Sequence, residues 1–151
     1  MNKELIINVT ASEITIALFE DKQLVELTKE QSRSGYAVGD IYMGKVKKIM
    51  PGLNAAFVNV GYEKDAFIHY LDLGPQFTTQ QKLVNILTNN KKIPNFETMR
   101  LDKAMGKNGK ISGFIASGQS ILVQIAKEAI STKGPRLTCD MSLAGRNVVL
   151  I

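Results

Sequence analysis

The segment Asn54-Ala-Ala-Phe-Val-Asn-Val-Gly61, followed closely by Asp65-Ala-Phe-Ile-His69, constrains the fold more than any other part of the chain. Both pieces have strand length, and a strand sends successive side chains to opposite faces. Phe57 and Asn59 therefore share one face, while Ala56, Val58 and Val60 share the other. Phe67 and His69 likewise share a face opposite Ile68. The small aliphatic side already supplies an inward surface, which leaves the two rings for the outer one. Exposed rings beside basic residues suit the stacking of bases from a single nucleic-acid strand. Phenylalanine is most often a core residue, so burial of both rings is the competing reading.

Around this pair the chain punctuates itself into short strands. Three fall at about 40–49, 54–60 and 65–69, with Pro51-Gly52 and Gly61-Tyr-Glu-Lys64 as the turns. A fourth runs over 120–127 with Ile121, Val123 and Ile125 on one face, and a fifth follows Lys133-Gly-Pro135 at about 136–140. Five short strands with a long excursion after the third match a partly open OB barrel, although composition admits other small barrels. Three more strands at 5–9, 14–18 and 24–27 have no helix to cover them and need a surface from elsewhere. Within the excursion, Leu83, Ile86 and Leu87 are spaced for a helix over 78–87, with Thr78 or Thr79 as N-cap and Asn89-Asn90 as its end. Gly106-Lys-Asn-Gly109 reads as a turn, because it lacks the spacing of a nucleotide-binding loop.

At 151 residues and 44% hydrophobic, the chain can bury one core. No apolar run approaches the roughly 20 residues of a membrane helix. Met1-Asn-Lys-Glu4 leads straight into a strand rather than a signal peptide, so a cytoplasmic protein is expected. Cys139 is the only cysteine and His69 the only histidine, which excludes an intramolecular disulfide and a zinc cluster of the usual ligands. Cys139 reads as a small buried hydrophobe rather than a nucleophile. The net charge of +5 is uneven: residues 1–35 hold four basic and six acidic side chains, residues 76–115 seven basic and two acidic. The basic stretch can attract a polyanion in a salt-dependent way, or it can be a solvated loop.

Gly39-Asp-Ile-Tyr-Met-Gly-Lys-Val-Lys-Lys-Ile-Met-Pro-Gly-Leu-Asn-Ala-Ala-Phe-Val-Asn-Val-Gly61, followed by Ala66-Phe67, resembles the S1-like RNA-binding domain of the ribonuclease E/G endoribonucleases. Ile121-Leu-Val-Gln-Ile-Ala-Lys-Glu128, Thr132-Lys-Gly134 and Ser142-Leu-Ala-Gly145 fit the same family in the same order, leaving residues 72–117 outside the likeness. The resemblance implies a mainly β chain, with an S1-like five-stranded OB barrel over 36–140 interrupted by a partly helical insertion at 72–118. Residues 1–35 and 141–151 would be strands of a split RNase H-like subdomain, pairing with one another beside the barrel. The apolar ending Arg146-Asn-Val-Val-Leu-Ile151 has no cap or turn, as expected of a fragment of a longer protein.

The same resemblance assigns RNA contact to Phe57, Phe67 and Lys133. His69, pointing with Phe67, and Arg136, at the start of the last strand, join them as candidates for base, sugar or phosphate contact. Lys45 and Lys47, on the strand face away from Val46, are weaker candidates. Tyr42 either adds a ring beside the site or caps the barrel. The implied parent is a single-strand-specific endoribonuclease of RNA processing and decay, with magnesium held by aspartates of a later DNase I-like region. The carboxylates here are scattered, without an Asp-x-Asp or Glu-x-x-His pair, so this stretch is expected to bind RNA without cutting it and without a cofactor of its own. Single-stranded RNA is the expected partner; a homo-oligomer through the parent protein stays open. Two other classes compete: a stand-alone translation-type RNA-binding module, and a protein-interaction barrel whose Phe57 and Phe67 form a subunit interface.

Overall fold

The chain divides into two compact units, Met1–Gly35 and Tyr36–Ile151. The computed structural model describes residues 2–31, 36–89, 95, 99–145 and 147–150. The first unit is an antiparallel sheet of β1 (Lys3–Val9), β2 (Glu13–Glu20) and β3 (Gln23–Gln31), with β2 in the middle. Its first turn is held by the Thr10 hydroxyl, which accepts from the Glu13 N–H at 3.0 Å and donates to the Glu13 carbonyl at 2.9 Å. The second turn places Asp21 and Lys22 in the left-handed region, as a two-residue hairpin loop requires. Leu5, Ile7 and Leu24 stay exposed, in keeping with three strands that no helix covers.

The second unit holds β4 (Ile41–Met50), β5 (Ala55–Asn59), β6 (Ala66–His69), α1 (Phe77–Asn89), β7 (Ser120–Lys127) and β8 (Arg136–Thr138), then the short β9 (Leu143–Ala144) and β10 (Val149–Leu150). The first five strands among these close into a barrel in the order β4-β5-β6-β8-β7. Only β6 and β8 run parallel; the other ladders are antiparallel. This is the strand order and closure of an OB-type barrel with a helical insertion between its third and fourth strands. Val46, Val58, Ile68, Ile121, Val123, Ile125 and Leu137 fill the interior and are essentially inaccessible to water. β9 and β10 pair with each other, and β1 and β3 with β2.

A β-bulge in β4 corrects simple alternation. Val46 faces Val58, but the next partners are Lys48 with Phe57 and Ile49 with Ala56. The extra residue puts Lys47 and Lys48 both outside and returns Ile49 to the core. Strict alternation would have driven one of two adjacent lysines into the barrel, which the bulge avoids.

The helix also differs from its expected form. It spans Phe77–Asn89 and buries Phe77, Thr79 and Val84, while Leu83 and Ile86 are half-buried and Leu87 is exposed. Neither threonine is a cap; the Thr79 hydroxyl instead accepts from the Asp102 N–H at 2.9 Å. The later insertion then returns to the barrel, burying Ile111 and Ile115 in the core. Lys91, Lys92 and Glu97 of the basic stretch lie outside the described residues. Because Ile68 is fully buried, Ile68→Ala should cost about 2–5 kcal/mol in urea unfolding. Leu53→Ala, at an exposed position, should stay within about 0.5 kcal/mol of the parent chain.

Candidate nucleic-acid interface

In OB barrels the second and third strands, with the loops joining strands one to two and four to five, form the usual oligonucleotide surface. Here those strands are β5 and β6, and Phe57 and Phe67 are direct cross-strand partners on their outer face. Their rings meet edge to face, with centroids 6.1 Å apart and planes at 70°. Each is only partly buried, while their neighbours Ala56, Val58, Ala66 and Ile68 are sealed in the barrel. The perpendicular arrangement covers the edge of one ring and leaves flat surface for a base to stack.

A cleft of about 690 Å³ opens over the rings, lined by Phe57, Lys64, Asp65, Phe67, Lys127, Glu128, Ile130, Thr132, Lys133, Gly134 and Arg136. Four of the five site residues read from the sequence thus meet here. The β7–β8 loop closes it through reciprocal backbone bonds between Ile130 and Lys133. Lys64 holds that turn from β6's side by donating its ammonium to the Ser131 carbonyl. Gly134 lets it approach: a Cβ there would lie 2.2 Å from the Asp65 carbonyl oxygen.

The cations of the cleft are not equivalent. Arg136 spends Nε and Nη2 on Asp72, at 3.1 and 3.0 Å, and this pairing raises its pKa further. Asp72 is a junction: it also accepts from the His69 N–H at 3.1 Å, and its carbonyl takes the Thr138 hydroxyl and the Cys139 N–H. Arg136 is therefore committed to holding β6 and β8 together. Lys47 is paired with Asp65 at 2.9 Å. Among the described residues, Lys127 and Lys133 have no ion pair or side-chain hydrogen bond, and both are exposed. These two ammonium groups are the ones available to phosphate.

His69 lies two residues past Phe67, outside the cleft lining. Its Nδ1 accepts from the Leu71 N–H at 3.2 Å, capping the 3₁₀ turn Tyr70–Leu73. Its Nε2 has no hydrogen-bond partner among the described residues. Tyr42 stacks on Tyr36 at 5.0 Å and packs against the core, so it caps the barrel. Its hydroxyl donates to Asp40 at 3.2 Å, and burial together with that carboxylate raises its pKa. Sequence reasoning missed Lys127, whose signal was its place at the end of β7, opposite Arg136.

No family model matches the chain. Curated relatives do. Ribonuclease G of Haemophilus influenzae is 36% identical over 148 residues, which is 98% of this chain and 26% of that protein. Ribonuclease G of Escherichia coli is 32% identical over 155 residues, covering all of this chain and 27% of the relative. Ribonuclease E of a Nostoc species is 37% identical over 136 residues, 89% of this chain and 16% of the relative. The chain belongs to the ribonuclease E/G family. It spans about a quarter of the length of the ribonuclease G proteins it matches. The alignments also run through the insertion, which the motif reading had left outside the likeness.

Among the described residues no group of three or more His, Cys, Asp or Glu is placed to hold a metal. No helix among them is long and apolar enough to cross a membrane. Cys139 is 5% exposed, and burial, assisted by the Asp72 charge, pushes its thiol up to about 12. The folded chain should therefore resist iodoacetamide at pH 8 and react only in denaturant, followed by mass spectrometry. Fast modification of the native chain would contradict this environment.

Proposed function

We propose that this chain is the single-strand RNA-binding part of a ribonuclease E/G-type endoribonuclease. The observation that carries the reading is the cleft in which two outward rings meet two unpaired lysines. The rings offer faces to bases of any sequence, while Lys127 and Lys133 offer charge to the backbone. Kinship with proteins named ribonuclease G and ribonuclease E supports RNA as the strand bound.

The wider reading follows the family. The parent enzyme would hydrolyse RNA phosphodiesters in RNA processing and decay in the cytoplasm, using magnesium held by parts of the protein other than this chain. Residues 1–35 and 141–151 would contribute strands to an RNase H-like subdomain. Within this chain the work is positioning: the rings fix the bases, the lysines fix the backbone, and His69 Nε2 offers one further polar contact.

Fluorescence anisotropy with a short unstructured RNA tests the assignment. Phe57→Ala and Phe67→Ala should each weaken binding by about 1–3 kcal/mol with little change in salt dependence. Lys127→Ala and Lys133→Ala should each reduce the slope of log affinity against log salt by about 0.7. Arg136→Ala should leave that slope nearly unchanged, because its charge is already neutralised by Asp72. Unfolding is measured in parallel: Phe variants that unfold easily yet bind RNA normally when folded would make the rings structural. Salt-insensitive self-association without RNA affinity would point to a subunit interface instead.

A further inference from the structure

The loop over residues 105–111 is pinned to the far end of the same ring-bearing strands. Beyond Phe57 and Phe67, the next cross-strand pair in register is Ala55, which is buried, with the half-buried His69. The residues immediately outside this pair, Asn54 and Tyr70, both grip the loop. The Tyr70 hydroxyl donates to the Gly106 carbonyl. Asn54 Nδ2 donates to the Gly109 carbonyl at 3.0 Å, and its Oδ1 accepts from the Ile111 N–H at 2.7 Å, bracketing Lys110. Gly109 sits so tightly on the tyrosine that a Cβ would lie 2.1 Å from the hydroxyl oxygen. The loop is held through its carbonyls at Gly106 and Gly109. What it presents outward is charge: Lys107 and Lys110 are exposed and unpaired among the described residues.

A second cleft, of about 370 Å³, begins at Tyr70 and Leu71 and reaches Met105 and Lys107, with Asp140 on its wall. Its lining residue Leu71 donates its N–H to His69 Nδ1. Leu71 is four residues beyond Phe67, at most about 14 Å of chain.

We propose that this loop is a second phosphate-binding segment of the same track. A single-stranded RNA seated on the rings continues past His69, and its backbone runs along Lys107 and Lys110. The inference rests on the RNA-binding reading and extends it, giving the insertion a part in ligand length. Two cations against the single carboxylate Asp140 leave this end net attractive to a polyanion. Backbone charge, not base identity, is what ammonium groups on a loop can read.

The test compares a uridine tetranucleotide with a dodecanucleotide on the whole chain across a salt series. The dodecanucleotide should bind at least about tenfold tighter, because the loop engages the strand already held at the rings. Lys107→Ala with Lys110→Ala should remove that gain and lower the salt slope for the longer strand by about 1.4, leaving the tetranucleotide unaffected. Asn54→Gly keeps a left-handed residue at φ 48 while releasing the loop, and should act in the same direction. Unchanged dodecanucleotide binding by the double lysine variant would overturn the inference while sparing the ring site. Equal losses for both lengths would also overturn it, since the lysines would then act as diffuse charge. Failure of the parent chain to bind either strand, or indifference of both affinities to Phe57→Ala, would instead remove the RNA reading and this inference with it.

Discussion

The inward stripe of β5 and β6 is the constraint on which the interface depends. Ala56, Val58, Ala66 and Ile68 are all completely buried. Their burial drives closure of the barrel at about 25 cal/mol per Å² of apolar surface removed from water. Because side chains alternate strictly in a strand, the same step that buries them turns Phe57 and Phe67 outward. The rings are thus displayed by the core itself. Direct registration of Phe57 with Phe67 then sets their mutual contact and leaves flat ring surface over a cleft.

Charge pairing sorts the cations around that cleft. A guanidinium locked in a bidentate pair is a structural device, because moving it to a phosphate would strand the carboxylate it leaves. Arg136 and Asp72 form such a pair across β8 and the end of β6. Asp72 ties together the His69 amide, the Thr138 hydroxyl and the Cys139 amide as well, so one acidic residue fixes the geometry of the site's edge. Lys64 serves similarly by holding the turn that carries Lys133. Lys127 and Lys133 are left exposed, with no ion pair or side-chain hydrogen bond among the described residues.

The insertion shows the limit of motif reading. Its sequence from residue 99 onward has apolar residues without strand or helix spacing among glycines, yet it buries Ile111 and Ile115, is stitched to the barrel by Asn54 and Tyr70, and is tied to α1 by Thr79. Those bonds join residues far apart in the chain through single polar side chains. Such contacts leave no periodic trace in sequence, which is why the segment reads as structureless until the fold brings the partners together.

The sequence by itself determined the barrel strands and which side chains of β5 and β6 share a face, because alternation is a local property that each short segment carries; whether the face with the rings is the outer one it left open. It also specified a buried thiol at Cys139 and pointed to a barrel whose third and fourth strands are joined by an excursion. Tertiary structure alone decided which cations are free, since Arg136 is neutralised by a residue 64 positions away. It decided that β4 bulges at Lys47 and so turns Lys48 toward Phe57, a shift of register that alternation cannot foresee. It also decided which helix residues are buried most deeply, Phe77, Thr79 and Val84, with the Thr79 hydroxyl taken by the Asp102 N–H. Periodicity encodes what a strand or helix does alone; pairing energies between distant groups exist only once the chain has closed.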